Sequence, residues 1–109
     1  MYSKELVAAS TTPMILSILT GGRSYGYLII KRVREISGGE LEWSEAMLYP
    51  VLKRLERDGL IKSTWVLSEE GRQRKYYDIT DLGKQALHQK KTEWTRIVGM
   101  LDQMWSIDD

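Results

Sequence analysis

The chain has no cysteine, which excludes disulfides, thiolate metal sites and thiol redox sensing. It has one histidine, His88, which reads as an exposed helix residue. A lone imidazole without thiols cannot build an ordinary zinc site, and a Ser-His-Asp triad would have to rest on that one residue. A phosphate-binding glycine loop and a convincing carboxylate pair are also missing, so an enzyme is the least supported class and no cofactor or metal is expected. No apolar run approaches the ~20 residues of a membrane span. The opening MYSKELVAAS lacks the apolar core of a signal peptide, so a cytoplasmic protein of bacterial style is expected. Charge of one sign is scarce too. The formal net charge is +1, so any basic footprint must be local.

What is present fits one small domain, or one domain plus an extra helix: 109 residues, 42% hydrophobic and 28% charged. A domain of this size buries a modest fraction of its surface, and association is a natural source of extra stability. Lys4 to Ala9 is compatible with helix, and Met14, Ile15, Ile18 and Leu19 continue an apolar face until Gly21-Gly22 stops it. Thr12-Pro13 either starts a helix there or bends one longer helix, and the bent long helix is the preferred reading. Ser24 is a candidate N-cap for a second helix over Tyr25 to Ile36, ended by Ser37-Gly38-Gly39. Leu41 to Trp43 reads as a short extended segment, a candidate third strand.

Ser44 to Thr80 is the richest stretch. Ser44 is placed to cap a third helix, with Glu45 near its positive end. Leu48, Leu52 and Leu55 recur at i, i+4 and i+7 and form one inward face. The opposite face then carries Tyr49, Lys53 and Arg57, with Glu45, Ala46 and Pro50 at its N-terminal end. Asp58-Gly59 ends the helix. A strand from Leu60 to Leu67, a charged tip from Ser68 to Lys75 and a second strand from Tyr76 to Ile79 follow. Tyr76 and Tyr77 point to opposite faces, one to the core and the other toward solvent or a phosphate. Trp43 and Trp65 are expected to pack together or against the helices around this hairpin.

A helix feeding a basic-tipped hairpin is the winged-helix way of holding duplex DNA. The helix places short and polar side chains at base edges while lysine and arginine hold phosphates. Arg72, Arg74 and Lys75 supply the tip's charge, and Gly71 its turn. Taken singly, Lys53 and Arg57 fit a solvated helix face, and Glu69-Glu70 dilute the tip. The order of the elements favours DNA. The second reading is a winged-helix protein-interaction module without specific DNA binding, supported by the near-neutral net charge.

Thr80 is placed to cap a last helix, Asp81 to about Trp105, in which Leu82, Ala86 and Leu87 can pack on the domain. Past Lys90-Lys91 the stripe resumes as Trp94, Ile97, Val98, Leu101, Met104 and Trp105. Each large apolar side chain contributes about 1.5–3 kcal/mol when buried, so a partner surface is expected. The first helix of a second copy, through Leu6, Ala9, Pro13 and Leu16, is a plausible one. A twofold dimer would present two recognition helices to a pseudo-palindromic site on double-stranded DNA. The expected fold is mostly α with a small β hairpin. Residues 1–80 form a winged helix-turn-helix whose first helix, 1–20, also enters the dimer, and residues 81–109 form a dimerisation helix.

The segments YGYLIIKRVREISGGELEWSEAMLYPVLKRLERDGLI and GRQRKYYDITDLGKQAL resemble the PadR-type transcriptional regulators. The marks are Tyr25-Gly26-Tyr27, Leu48-Tyr49-Pro50, the ending from Glu56 to Leu60, and Arg74-Lys75-Tyr76-Tyr77. The resemblance covers about Lys4 to Trp105, and the single C-terminal helix is similar to the small subfamily that includes multidrug-sensing repressors. It implies a homodimeric winged-helix repressor with Ser44, Glu45, Ala46, Tyr49, Pro50 and Lys53 on the recognition helix and Arg72, Arg74 and Lys75 on the wing. The usual glycine pair before the wing arginines is Glu70-Gly71 here. The resemblance also implies a planar aromatic effector sandwiched at Trp94, with Leu6, Ala9, Pro13 and Val98 around it. Val98 stands where an acid would hold a cationic drug. Plain dimer-core packing is the other reading of Trp94.

Overall fold

The computed structural model describes residues 2–107. Helix α1 is Lys4–Thr20, α2 Gly26–Ile36, α3 Glu45–Arg57, strand β1 Ile61–Leu67, β2 Gln73–Ile79 and α4 Asp81–Ile107. Pro13 lies inside α1, so one long helix forms. Its cap is Ser3, whose side chain accepts from the Leu6 N–H at 3.2 Å. Ile15, Leu16 and Leu19 from α1, Ile29 and Val33 from α2, and Leu48, Leu52 and Leu55 from α3 close a single core. Trp43, Ile61, Tyr77 and Leu87 complete it from the loop, the hairpin and α4. The helix-period pattern of the sequence therefore reads out directly as burial.

Several local expectations change. Ser24 does not cap α2: Tyr25 occupies the cap position without a side-chain bond. Ser24 instead pairs with Tyr77, its N–H donating to the Tyr77 carbonyl at 3.1 Å and its carbonyl accepting the Tyr77 N–H at 2.7 Å. Leu41 to Trp43 forms no strand. The third edge expected there is the one-residue bridge at Ser24. Trp43 is in the core, whereas Trp65 is 60% exposed on the hairpin, so the two do not pack together. Leu16 is fully buried in the core of its own chain and is not available to a second copy. Leu87 packs on the domain as expected, but Leu82 is 52% exposed.

Thr80 ties three elements together. Its hydroxyl accepts from the Gly83 N–H at 3.0 Å, capping α4, and donates to the Gly59 carbonyl at 2.6 Å, behind the end of α3. Thr80→Ala removes both bonds. The expected loss is about 1 kcal/mol of stability, a fall of about 4–8 °C in Tm for a domain near this size. Thermal denaturation followed by circular dichroism checks it, and an unchanged Tm would show that the cap contributes nothing.

Candidate nucleic-acid interface

Helix α3 starts where the sequence places it. The Ser44 hydroxyl accepts from the Met47 N–H at 3.1 Å. Leu48 and Leu52 are fully buried and Leu55 nearly so, which turns the other side of the helix outward. Ser44, Glu45, Ala46, Tyr49, Pro50, Lys53 and Arg57 are all exposed. Lys53 makes no ion pair among the described residues, and Arg57 meets only its neighbour Asp58 at 3.5 Å. Tyr49 is exposed but not free. A Cβ on Gly26 would come within 2.8 Å of its Cζ, so the tyrosine ring lies across the bare glycine at the start of α2. Arg54, on the same helix, reaches back to Thr12 of α1, donating at 3.4 Å.

The second strand of the hairpin is longer than the sequence pattern gives. β2 begins at Gln73, in register with Leu67, so the tip is Ser68 to Arg72, with Gly71 at φ 82°. Arg74 and Lys75 are strand residues opposite Val66 and Trp65, not tip residues. An apolar period could not disclose this, because the first residues of β2, Gln73, Arg74 and Lys75, are all polar. Pairing across the ladder holds them extended.

Alternation then sends Arg74 and Lys75 to opposite faces. The Arg74 guanidinium lies 4.2 Å from the Tyr25 ring centroid. Tyr25 meets Tyr76 edge-on at 5.3 Å, and Arg23 lies 4.9 Å from the Tyr76 ring. This alternating stack fixes the hairpin against the turn before α2; the sequence marks Tyr25 only as a helix start and family motif, and gives no sign of its stacking or of a part for Arg23. On the other face, Lys75 Nζ lies 3.8 Å from Glu56 Oε1 of α3. Burial, followed by the charge of Glu56 and then Tyr49, pushes the Tyr77 phenol above its ordinary pKa, so it stays neutral beside Lys75.

The residues around Trp94 divide differently. Leu6, Pro13 and Trp94 share one open groove of about 1040 Å³ between α1, α2 and α4, whereas Ala9 and Val98 do not line it. Among the described residues, the charged ones lining this groove are Arg23, Arg32 and Lys91, and no carboxylate lines it. Beyond the groove α4 runs past the body of the domain. Ile97 is 52% exposed, and Met104 and Trp105 are 61% exposed.

A capped helix with an outward polar face, backed by a helical core and followed by a basic hairpin, is a winged helix-turn-helix of the DNA-binding kind. The model of the transcriptional regulator PadR-like family matches residues 15–89, and the chain belongs to that family. Its members are DNA-binding transcriptional regulators and not enzymes. A transcriptional regulator from Clostridium thermocellum is similar over 92% of this chain and 97% of its own, with 34% identity and a TM-score of 0.83. A PadR family regulator from Clostridium difficile is similar over 87% of this chain and 97% of its own, with 40% identity and a TM-score of 0.77. The negative transcriptional regulator PadR of Bacillus subtilis is 34% identical over 74 residues, which are 68% of this chain and 41% of that protein. No helix among the described residues is long and apolar enough to cross a membrane.

Proposed function

We propose that this regulator is a homodimeric, sequence-specific repressor that binds a pseudo-palindromic operator and is released by a small planar aromatic effector held between its subunits. The observation that carries the dimer is the exposed surface. The chain exposes 8065 Å², whereas a compact monomer of 12.6 kDa exposes about 6200 Å². The excess on one chain is more than twice the roughly 800 Å² that each partner contributes to a standard interface, and lies in the range of obligate homodimers. The apolar side chains that α4 leaves exposed, Ile97, Val98, Met104 and Trp105, are the surface such an interface would cover. The groove floored by Leu6 and Pro13 is the surface that would receive the same helix from a second copy.

In this reading Ser44, Glu45, Ala46, Tyr49 and Pro50 face base edges. Lys53, Arg57, Arg72 and Arg74 hold phosphates. Trp94 supplies a flat aromatic wall for the effector. The cationic lining of the groove favours a neutral or anionic ring system over a cation. The effector acts by binding one separation of the two recognition helices better than the other, so half-site matching is lost.

Footprinting on the DNA upstream of the protein's own gene, with and without a panel of planar aromatics, tests the reading. Salt-dependent protection of two half-sites is expected, relieved by at least one aromatic. Lys53→Ala and Arg74→Ala should each weaken binding about five- to tenfold or more with the dimer intact. Absence of protection by dimeric protein would overturn the DNA assignment. Protection that no aromatic relieves would remove the effector.

A further inference from the structure

Arg74 and Lys75 are neighbours in a basic run, yet the fold uses them differently. Arg74 extends over Tyr25 on one face of the hairpin. Lys75 turns to the face that meets α3, 3.8 Å from Glu56 Oε1 and over the rings of Trp65 and Tyr77 at 5.8 and 5.7 Å. The other oxygen of Glu56, Oε2, accepts from the Ser63 N–H at 3.1 Å and from the Ser63 hydroxyl. One carboxylate in the last turn of α3 therefore holds β1 through Ser63 and β2 through Lys75. Ser63 and Tyr77 are direct partners in the ladder, two residues from the Trp65–Lys75 pair, so the grip falls along one short stretch of hairpin.

We infer that Glu56 and Lys75 form a strut that sets the angle between the recognition helix and the wing, and that Lys75 is a positioning residue for specific DNA binding and not a phosphate contact. This rests on the assignment of α3 and the hairpin to DNA. To reach a phosphate, the ammonium would have to leave a carboxylate and two aromatic faces. Specific binding requires α3 to sit at base edges while the wing meets backbone at a fixed distance, so the angle between them is a specificity element. Non-specific binding draws on charge alone and is indifferent to that angle.

Glu56→Gln separates the two roles by sign. Glutamine keeps the shape and an oxygen for Ser63, but removes the charge that holds Lys75. If Lys75 held phosphate, deleting this acid would free a lysine beside DNA and tighten binding to every duplex. The strut requires the reverse: about tenfold weaker binding to the footprinted upstream segment, with affinity for a scrambled duplex of equal length unchanged or slightly raised. Lys75→Met should give a similar loss, and the double variant should be no weaker than the weaker single, since the two residues act as one unit. Lys75→Arg should restore most of the specificity ratio.

The slope of log affinity against log salt should stay at the wild-type value in Lys75→Met, whereas loss of a phosphate contact lowers it by about 0.9. Tighter binding by Glu56→Gln, or a slope reduced by that amount in Lys75→Met, would overturn the strut while leaving the DNA assignment standing. Failure of the wild type to prefer the footprinted segment over the scrambled duplex would overturn both.

Discussion

Ile97→Glu combined with Met104→Glu is expected to yield a folded monomer that binds operator DNA at least about a hundredfold more weakly than the wild type. The two positions lie seven residues apart on one face of α4 and are 52% and 61% exposed, so neither supports the winged-helix core. Glutamate is a good helix former, and the isolated helix tolerates it. Across a twofold interface the same change introduces four uncompensated carboxylates, each costing several kcal/mol when buried without a partner. A monomer retains one recognition helix and one wing, so it loses the gain in effective concentration that a second linked half-site provides. Sedimentation equilibrium with gel shifts on the same preparation checks both parts. A double variant that stays dimeric, or a monomer with undiminished affinity, would disprove the assigned role of this face.

The second large effect concerns folding. Gly83→Ala is expected to cost about 3 kcal/mol or more, against the 1–3 kcal/mol typical of overpacking. Gly83 is buried in the first turn of α4. A Cβ there would overlap the Leu60 carbonyl oxygen and stand 2.7 Å from Ile79 Cγ1. The obstacle is backbone, which cannot swing aside as a side-chain tip can. That carbonyl also accepts the Thr80 N–H at 3.1 Å, so moving it breaks the junction of hairpin and helix. At about 4–8 °C per kcal/mol, Tm should fall by more than 12 °C. Urea denaturation should show a lower midpoint with an unchanged slope. A Tm within a few degrees of wild type would mean that α4 can shift on the hairpin far more freely than its packing implies.

The inward faces were legible because the spacing of Leu48, Leu52 and Leu55 admits one helical solution. Ser44 and Thr80 were legible as caps because a hydroxyl before a helical period has few other uses. The sequence could not reveal the start of β2. Gln73, Arg74 and Lys75 carry no apolar alternation, and only pairing with β1 makes them a strand. Ser24 misled for a related reason. A serine before a helix reads as a cap, yet here its backbone is committed to Tyr77, a partner 53 positions away along the chain. The strut between Glu56 and Lys75 was hidden because a lysine in a basic run looks like every other lysine in it. The face it takes depends on register, which is a tertiary property.

The Ser24 bridge also divides the wing mechanically. At Tyr77, β2 has a neighbour on both sides: Tyr77 lies opposite Ser63 of β1 in the ladder, and both of its backbone groups are hydrogen-bonded to Ser24 in the chain before α2. Four residues toward the tip, at Gln73, it has a paired neighbour on the β1 side only among the described residues. The hairpin is therefore a cantilever, clamped at its root and progressively more compliant toward Gly71. A blade built this way keeps its heading while its end yields to local groove width. In the proposed dimer, this would let two wings meet half-sites of unequal shape without re-aiming either recognition helix.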